Sequence, residues 1–236
     1  PACHDWEHKH FFPRHLGELT GEMGTVATFR GSEAMFEATI ALLEDRLREA
    51  GHVGWVNLNT IVNEEGIWPL EFTCRFGYPG FAVLEPLQAC GWGKLFSSML
   101  GGGGVLPTQD GFSLCVVLST PPFPFSRPDA DAPIGLPVVA DGVEPEHLHL
   151  GEVGKTDGDL VTSGLYGWTA VVTGTGLSIE VAKAAAYARA ARIRTPNLRY
   201  RLDIGDKLIG GQLQQLTDWG WMKSMPPSRI ASQIVR

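Results

Sequence analysis

The sequence predicts an α+β fold built on antiparallel strands, and three stretches carry that prediction. Residues 54–62 and the run EFTCRFG from Glu71 flank the turn residues Asn63-Glu64-Glu65-Gly66, the pattern of an antiparallel hairpin. The run FSLCVVLST from Phe112 has the length and β-branched content of a buried strand. An alanine-rich run from Ser178 to about Ile193 opens on a capping serine and reads as a helix.

The remaining elements follow in chain order. Residues 1–31, rich in His and Gly, read as irregular, with Gly17, Gly21 and Gly24 free to fold the backbone around a ligand or simply to turn it. Ser32 is expected to cap a helix to about Ala50, with Phe36, Ile40, Leu43 and Leu47 as its core stripe and Gly51 as its stop. A short apolar helix from about Phe81 to Met99 precedes Gly101-Gly102-Gly103-Gly104, a flexible joint. A proline-rich loop spans Pro121 to Pro133, and further strands are expected around His147–Val153, Leu160–Val161 and Trp168–Thr173. The expected division is residues 1–100, residues 105–209 and an irregular tail, 210–236.

Chemistry concentrates on the second hairpin strand. Side chains alternate across a strand, so Glu71, Thr73 and Arg75 share one face, and Phe72, Cys74 and Phe76 share the other as a core face. Asn57 and Asn59 share a face of the first strand; hairpin register decides whether it meets that row. A carboxylate and an oxygen ligand two residues apart can grip one Mg²⁺, which accepts octahedral oxygen and shares its shell with phosphates, but the same row also suits a solvated strand face. His4, Asp5, His8 and His10 suggest a metal site by type, yet a mobile N-terminal segment is a poor cage, and no transition-metal site is expected. The run GELTGEMGT can offer backbone N–H groups to an anion. Arg199, Arg201 and Asp203 read as an anion site or, more commonly, a surface ion pair.

Composition removes whole classes. With 44% hydrophobic and 19% charged residues the chain is globular, and a formal charge of -7 without a basic stripe argues against nucleic acid as partner. Cys3, Cys74, Cys90 and Cys115 form no C-x-x-C pair, so a reduced, cytoplasmic protein is expected. No apolar run approaches the roughly 20 residues of a membrane helix. G-x-S-x-G, H-E-x-x-H and Walker-type runs are missing, which removes several hydrolase and NTPase classes. The first residue is Pro1 rather than Met, as in a processed or truncated piece of something longer.

Four ordered islands carry a resemblance. EHKHFFPRHLGELTGEMG is similar to D-H-K-R-L-x-D-G-D-x-G-P-N-T-G-G-M-G, keeping His8, Lys9, Gly17, Thr20, Gly21, Met23 and Gly24. EFTCRFGYPG resembles E-F-N-x-R-F-G-D-P-E, keeping Glu71, Phe72, Arg75, Phe76, Gly77 and Pro79. The run from Asp157 looks like D-G-x-L-V-T-x-G-G-R-V-L and the helix after it, and YRLDIG resembles Y-R-x-D-I-G. Together they resemble the C-terminal half of the phosphoribosylamine–glycine ligase (glycinamide ribonucleotide synthetase) family of ATP-grasp enzymes.

The resemblance implies the C-terminal half of an ATP-grasp fold, an antiparallel sheet with helices, followed by a small α+β C-terminal domain. It implies an ADP-forming carboxylate–amine ligase of purine biosynthesis, in which ATP converts glycine to an acyl phosphate that phosphoribosylamine attacks. ATP and Mg²⁺, with Mn²⁺ as an alternative ion, would be the cofactors, and a missing N-terminal half would be the partner. Glu71, Thr73 in place of an asparagine, and Asn59 would hold the metal. Arg75 would stabilise charge on the acyl phosphate, and Lys9, Thr20, Gly21 and Gly24 would bind substrate or phosphate. The sequence departs from the family at Pro13-Arg14-His15 for D-G-D, Glu22 for a glycine, Tyr78 and Gly80 for the acids of G-D-P-E, and Leu165 near the arginine of G-G-R-V-L. Those departures keep two alternatives open: a divergent ATP-grasp ligase with another acid or amine substrate, and a non-catalytic module.

Overall fold

The computed structural model describes residues 2–101, 106–125 and 134–223. Its strands are β1 (His4–Glu7), β2 (His10–Phe12), β3 (Leu16–Leu19), β4 (Gly24–Thr28), β5 (Asn57–Asn63), β6 (Gly66–Thr73), β7 (Phe112–Ser119), β8 (Val139–Ala140), β9 (Leu148–Leu150), β10 (Val153–Thr156), β11 (Asp159–Thr162), β12 (Trp168–Gly176) and β13 (Ile193–Arg194). Its α-helices are α1 (Glu33–Ala38), α2 (Glu44–Glu49), α3 (Gly80–Leu84), α4 (Trp92–Leu100), α5 (Ile179–Ala190) and α6 (Leu213–Asp218).

One five-stranded sheet, ordered β1-β4-β7-β12-β9 and antiparallel throughout, organises the molecule. β7 lies at its centre and is buried along its whole length, which explains its unbroken apolar run. Its Leu114, Val116 and Leu118 pack with Val26 and Val172 against Ile179, Ala182 and Ala186 of α5. The opposite face, with Ala27, Cys115, Val117 and Val171, packs against Ala82, Val83 and Leu84 of α3. The alternation of a strand therefore supplies both layers of core.

The small residues of α5 let it lie close on the sheet. A methyl group at Gly174 of β12 would stand 2.3 Å from the Ala186 nitrogen and 2.4 Å from the Ala182 carbonyl oxygen, both backbone atoms that cannot rotate away. Gly174→Ala is expected to cost about 1–3 kcal/mol by forcing helix and sheet apart. A lower denaturant midpoint at unchanged slope would register this, and an unmoved midpoint would mean the contact yields freely.

Several expectations are corrected. Residues 1–31 are not irregular: they contain β1 to β4, whose hydrogen bonds come from each other and from β7. The single helix from Ser32 is broken at Thr39 (φ -132°, ψ -92°) into α1, a 3-10 turn and α2, and none of the three holds a fully buried residue. Phe72, expected on a core face, is 49% exposed; among the described residues β5 and β6 pair only with each other, outside the five-stranded sheet. Pairing of β4 with β7 carries one sheet across the joint expected between 1–100 and 105–209; Gly102, Gly103 and Gly104 lie outside the described residues. The tail expected to be irregular from residue 210 contains α6, with Leu216 buried, while 224–236 lie outside the described residues, as do 126–133 of the proline-rich loop.

Candidate functional site

Hairpin register settles the first question. Asn57 lies opposite Thr73 and Asn59 opposite Glu71, so all four side chains share one face. Asn57 Nδ2 donates to Asn59 Oδ1 at 2.9 Å, and Asn59 Nδ2 donates to Glu71 Oε1 at 3.2 Å. Arg75 lies beyond the strand end; its exposed guanidinium donates to the Phe76 carbonyl at 2.9 Å. The expected row Glu71, Thr73, Arg75 is therefore a pair on the strand with the arginine set apart.

The other predicted residues come from the β1–β4 segment. Lys9 Nζ lies 2.9 Å from Glu7 Oε2. Partial burial opposes the Lys9 charge, but Glu7, and beyond it Glu22 and Glu71, outweigh this and hold its ammonium above the usual lysine range. Thr20 closes the loop by donating from its hydroxyl to the Lys9 carbonyl at 2.6 Å and from its amide at 2.9 Å. Gly21 faces open space, where an added Cβ would meet nothing. Gly24 sits inside the sheet, where a Cβ would stand 2.6 Å from the Cys115 carbonyl oxygen, so its role is packing.

A cavity of about 520 Å³ gathers part of this set, lined by Asp5, Glu7, Lys9, Asn59, His15 and Lys207 among others. Glu71 adjoins it through its hydrogen bond from Asn59, while Thr20, Gly21 and Gly24 are not among its lining residues. Burial, reinforced by Glu7, pushes the Asp5 carboxyl up to about 6. Burial likewise raises Glu22, which accepts from the Thr25 hydroxyl. Glu7, which lines the cavity, and Glu22, whose charge acts on Lys9, were given no role by sequence reasoning. Their signal was Glu22 in place of a family glycine and the i, i+2 spacing of Glu7 and Lys9.

Behind the cavity lies a buried polar assembly. Arg201, expected at the surface, has a side chain 0% exposed; it grips Asp203 through Nε at 2.5 Å and Nη2 at 3.0 Å and donates from Nη1 to the His10 carbonyl at 3.0 Å. Burial works against the Asp203 charge, yet Arg201 and the Arg14 backbone N–H hold it down at about 2. His8 accepts from the Gly205 N–H on Nε2, so its Nδ1 carries the proton toward the Trp6 and Gly24 carbonyls. Burial first, and Arg201 second, lower His8 to about 4.

A histidine depressed below its unfolded value contributes stability that is fully present above about 6.5 and is lost as pH falls toward about 4, up to about 3 kcal/mol. In an NMR titration the His8 ring signals are expected to stay fixed from pH 8 to about 5. Movement with a midpoint near 6.5 would contradict the buried neutral tautomer.

The donor set can be tested against a divalent ion. One carboxylate, Glu71, faces an amide whose orientation is set by hydrogen bonding alone; turned over, Asn59 Oδ1 would face Glu71 and the pair would offer oxygen. Among the described residues no cluster of three His, Cys, Asp or Glu side chains stands ready as a metal cage. This suits a Mg²⁺ ion that takes one or two protein oxygens and fills its shell with phosphate and water.

Comparisons with known proteins agree with this architecture. The chain is 31% identical over 170 residues to a phosphoribosylamine–glycine ligase of Mycobacterium bovis, a match covering 70% of this chain and 38% of that protein. Among solved structures, the phosphoribosylamine–glycine ligase of Thermotoga maritima superimposes with a TM-score of 0.69 at 24% identity, covering 85% of this chain and 50% of that one. The biotin carboxylase domain of the Hydrogenobacter thermophilus 2-oxoglutarate carboxylase, solved with MgADP, ADP and bicarbonate, gives 0.50 at 12% identity, covering 89% and 45%. No protein-family model matches. The fold is that of the ATP-grasp proteins. Within that class the chain is a relative of phosphoribosylamine–glycine ligase, and it spans about half the length, or less, of the relatives it matches. Among the described residues no helix is long and apolar enough to cross a membrane.

Proposed function

We propose that the chain is the C-terminal part of an ATP-dependent, ADP-forming carboxylate–amine ligase of the phosphoribosylamine–glycine ligase type, acting in purine biosynthesis. The observation that carries this reading is the register that sets Asn59 against Glu71 at the edge of a cavity containing Lys9, on an ATP-grasp fold. Glu71, with Asn59 and Thr73 beside it, is the place for Mg²⁺, or Mn²⁺ as an alternative; that ion would draw charge from the phosphates of ATP. Lys9 adds a fixed positive charge beside the same carboxylate. Arg75, on an exposed stem, swings from the Phe76 carbonyl to offset charge on the acyl phosphate of glycine. Phosphoribosylamine then supplies the attacking amine.

In this reading the partner is the N-terminal half that the relatives carry and the matched region does not cover. The test is ADP release from the chain mixed with the complementary half of a phosphoribosylamine–glycine ligase. ADP formed only with both glycine and phosphoribosylamine present supports the reading; no substrate-dependent ADP above that of the complementary half alone sinks it. The altered residues Pro13-Arg14-His15 favour a second reading, a ligase of this type with a changed acid or amine substrate. A substrate panel in the same assay separates the two.

A further inference from the structure

The turn joining β2 to β3 is unusual. Arg14 (φ 59°) and His15 (φ 58°) are consecutive non-glycine residues in the left-handed region, which side chains with a Cβ rarely adopt. They are held there from below: Asp203, fixed by buried Arg201, accepts the Arg14 backbone N–H at 3.0 Å. Strain of this kind persists where the surrounding structure imposes it, and it clusters at ligand sites.

The imposed turn presents side chains to the cavity. His15 and Lys207 both line it and are exposed, and the His10 ring, also in its wall, lies 5.6 Å from that of His15. His10 uses Nδ1 on the Gly17 carbonyl at 3.0 Å, leaving Nε2 free of that bond. Among the described residues neither His15 nor Lys207 has an ion-pair partner, and Asp203, the carboxylate nearest them in charge, is already spent on Arg201 and Arg14. Partial burial, then the charges of Lys207, Arg201 and His10, lower His15. One ammonium and two imidazoles meet here with no carboxylate paired to them among the described residues.

We propose that His15, Lys207 and His10 form an anion subsite at this end of the cavity that takes the phosphate monoester of a phosphorylated substrate. The inference rests on the ligase reading for what that substrate is used for, and it goes beyond it by assigning the anion to a set built around His15, which stands where the family resemblance has the second aspartate of D-G-D. A phosphate suits the set better than a carboxylate: its dianion can meet the Lys207 point charge and still offer oxygens to a ring N–H of His15. The acidic family turn would repel such a group, so the substitution reverses which charge this end of the cavity admits.

The test is calorimetric titration of the whole chain, without nucleotide, with ribose 5-phosphate, ribose, inorganic phosphate and glycine. Ribose 5-phosphate is expected to bind and ribose not to; Lys207→Glu and His15→Asp should each weaken binding by about tenfold or more, the scale of one charge-assisted hydrogen bond. Both positions are exposed, so thermal unfolding should remain near wild type and show that the loss is local. Binding of inorganic phosphate alone, with ribose 5-phosphate no tighter, would overturn a substrate subsite. So would ribose binding as well as its phosphate, glycine binding in its place, no binding of ribose 5-phosphate, or unchanged affinity in both variants. The ligase reading fails separately: ribose 5-phosphate binding lost on Lys207→Glu, with no ADP release from the combined halves, keeps the subsite and removes the ligase.

Discussion

Glu71→Ala is expected to lower Mg-ATP-dependent ligation by the combined halves at least about a hundredfold, since a metal clamp on transferring phosphate contributes several kcal/mol. Glu71 is the carboxylate of the four-residue polar face, and its neighbours Asn57, Asn59 and Thr73 offer only neutral oxygens. Removing it leaves an ion with no formal protein charge to hold it there. Stability should hardly change, because Glu71 is exposed and receives one side-chain hydrogen bond, from Asn59 at 3.2 Å. Excess Mg²⁺ should recover part of the loss. Unchanged turnover in a folded Glu71→Ala protein would remove this residue from the mechanism and with it the meaning given to the hairpin register.

Arg201→Ala should be the most destabilising of the substitutions considered, by about 3 kcal/mol, near the lower end for a broken buried ion pair because the Asp203 side chain keeps 20% exposure. Three acceptors lose the guanidinium together: Asp203 Oδ1, the His10 carbonyl, and Asp203 Oδ2, which keeps the Arg14 N–H. For a chain of this size the loss corresponds to a fall in melting temperature of about 6–12 °C. Asp203, no longer held low, should also titrate closer to its ordinary value, so the deficit should hold above about pH 4 and shrink as pH falls from there toward 2. A melting temperature within a degree or two of wild type would mean that water replaces the guanidinium at little cost.

What the sequence made legible was local. The hairpin announced itself by a four-residue turn between two strands, β7 by a run too apolar for any but a central position, and α5 by its Ser178 cap, whose side chain does accept from the Val181 N–H. β1 to β4 were missed because their pairing is long-range: Thr25 lies opposite Cys115, and no periodicity within residues 1–31 advertises that partner. The stripe Phe36, Ile40, Leu43, Leu47 has helical spacing, yet the chain turns at Thr39 and leaves those side chains half-buried. For the site, residue types at Glu71 and Asn59 were readable, but their meeting needed a register that sequence does not fix. Arg201 and Asp203 were seen as a pair and misplaced at the surface, since what buries them is the β2 segment about 190 residues earlier.

The order of strands in the main sheet also bears on how the chain is made. β4 has two strand neighbours, β1 before it and β7 far after it, and β7 is completed in turn by β12. During synthesis, at roughly 5–20 residues per second, β1 and β4 must wait several seconds in the open before the strand that covers them leaves the ribosome. That wait leaves Val26 and Ala27, fully buried in the finished protein, exposed to solvent and to other nascent chains. A chaperone that shields early strands should therefore raise the yield of this protein more than it raises its equilibrium stability.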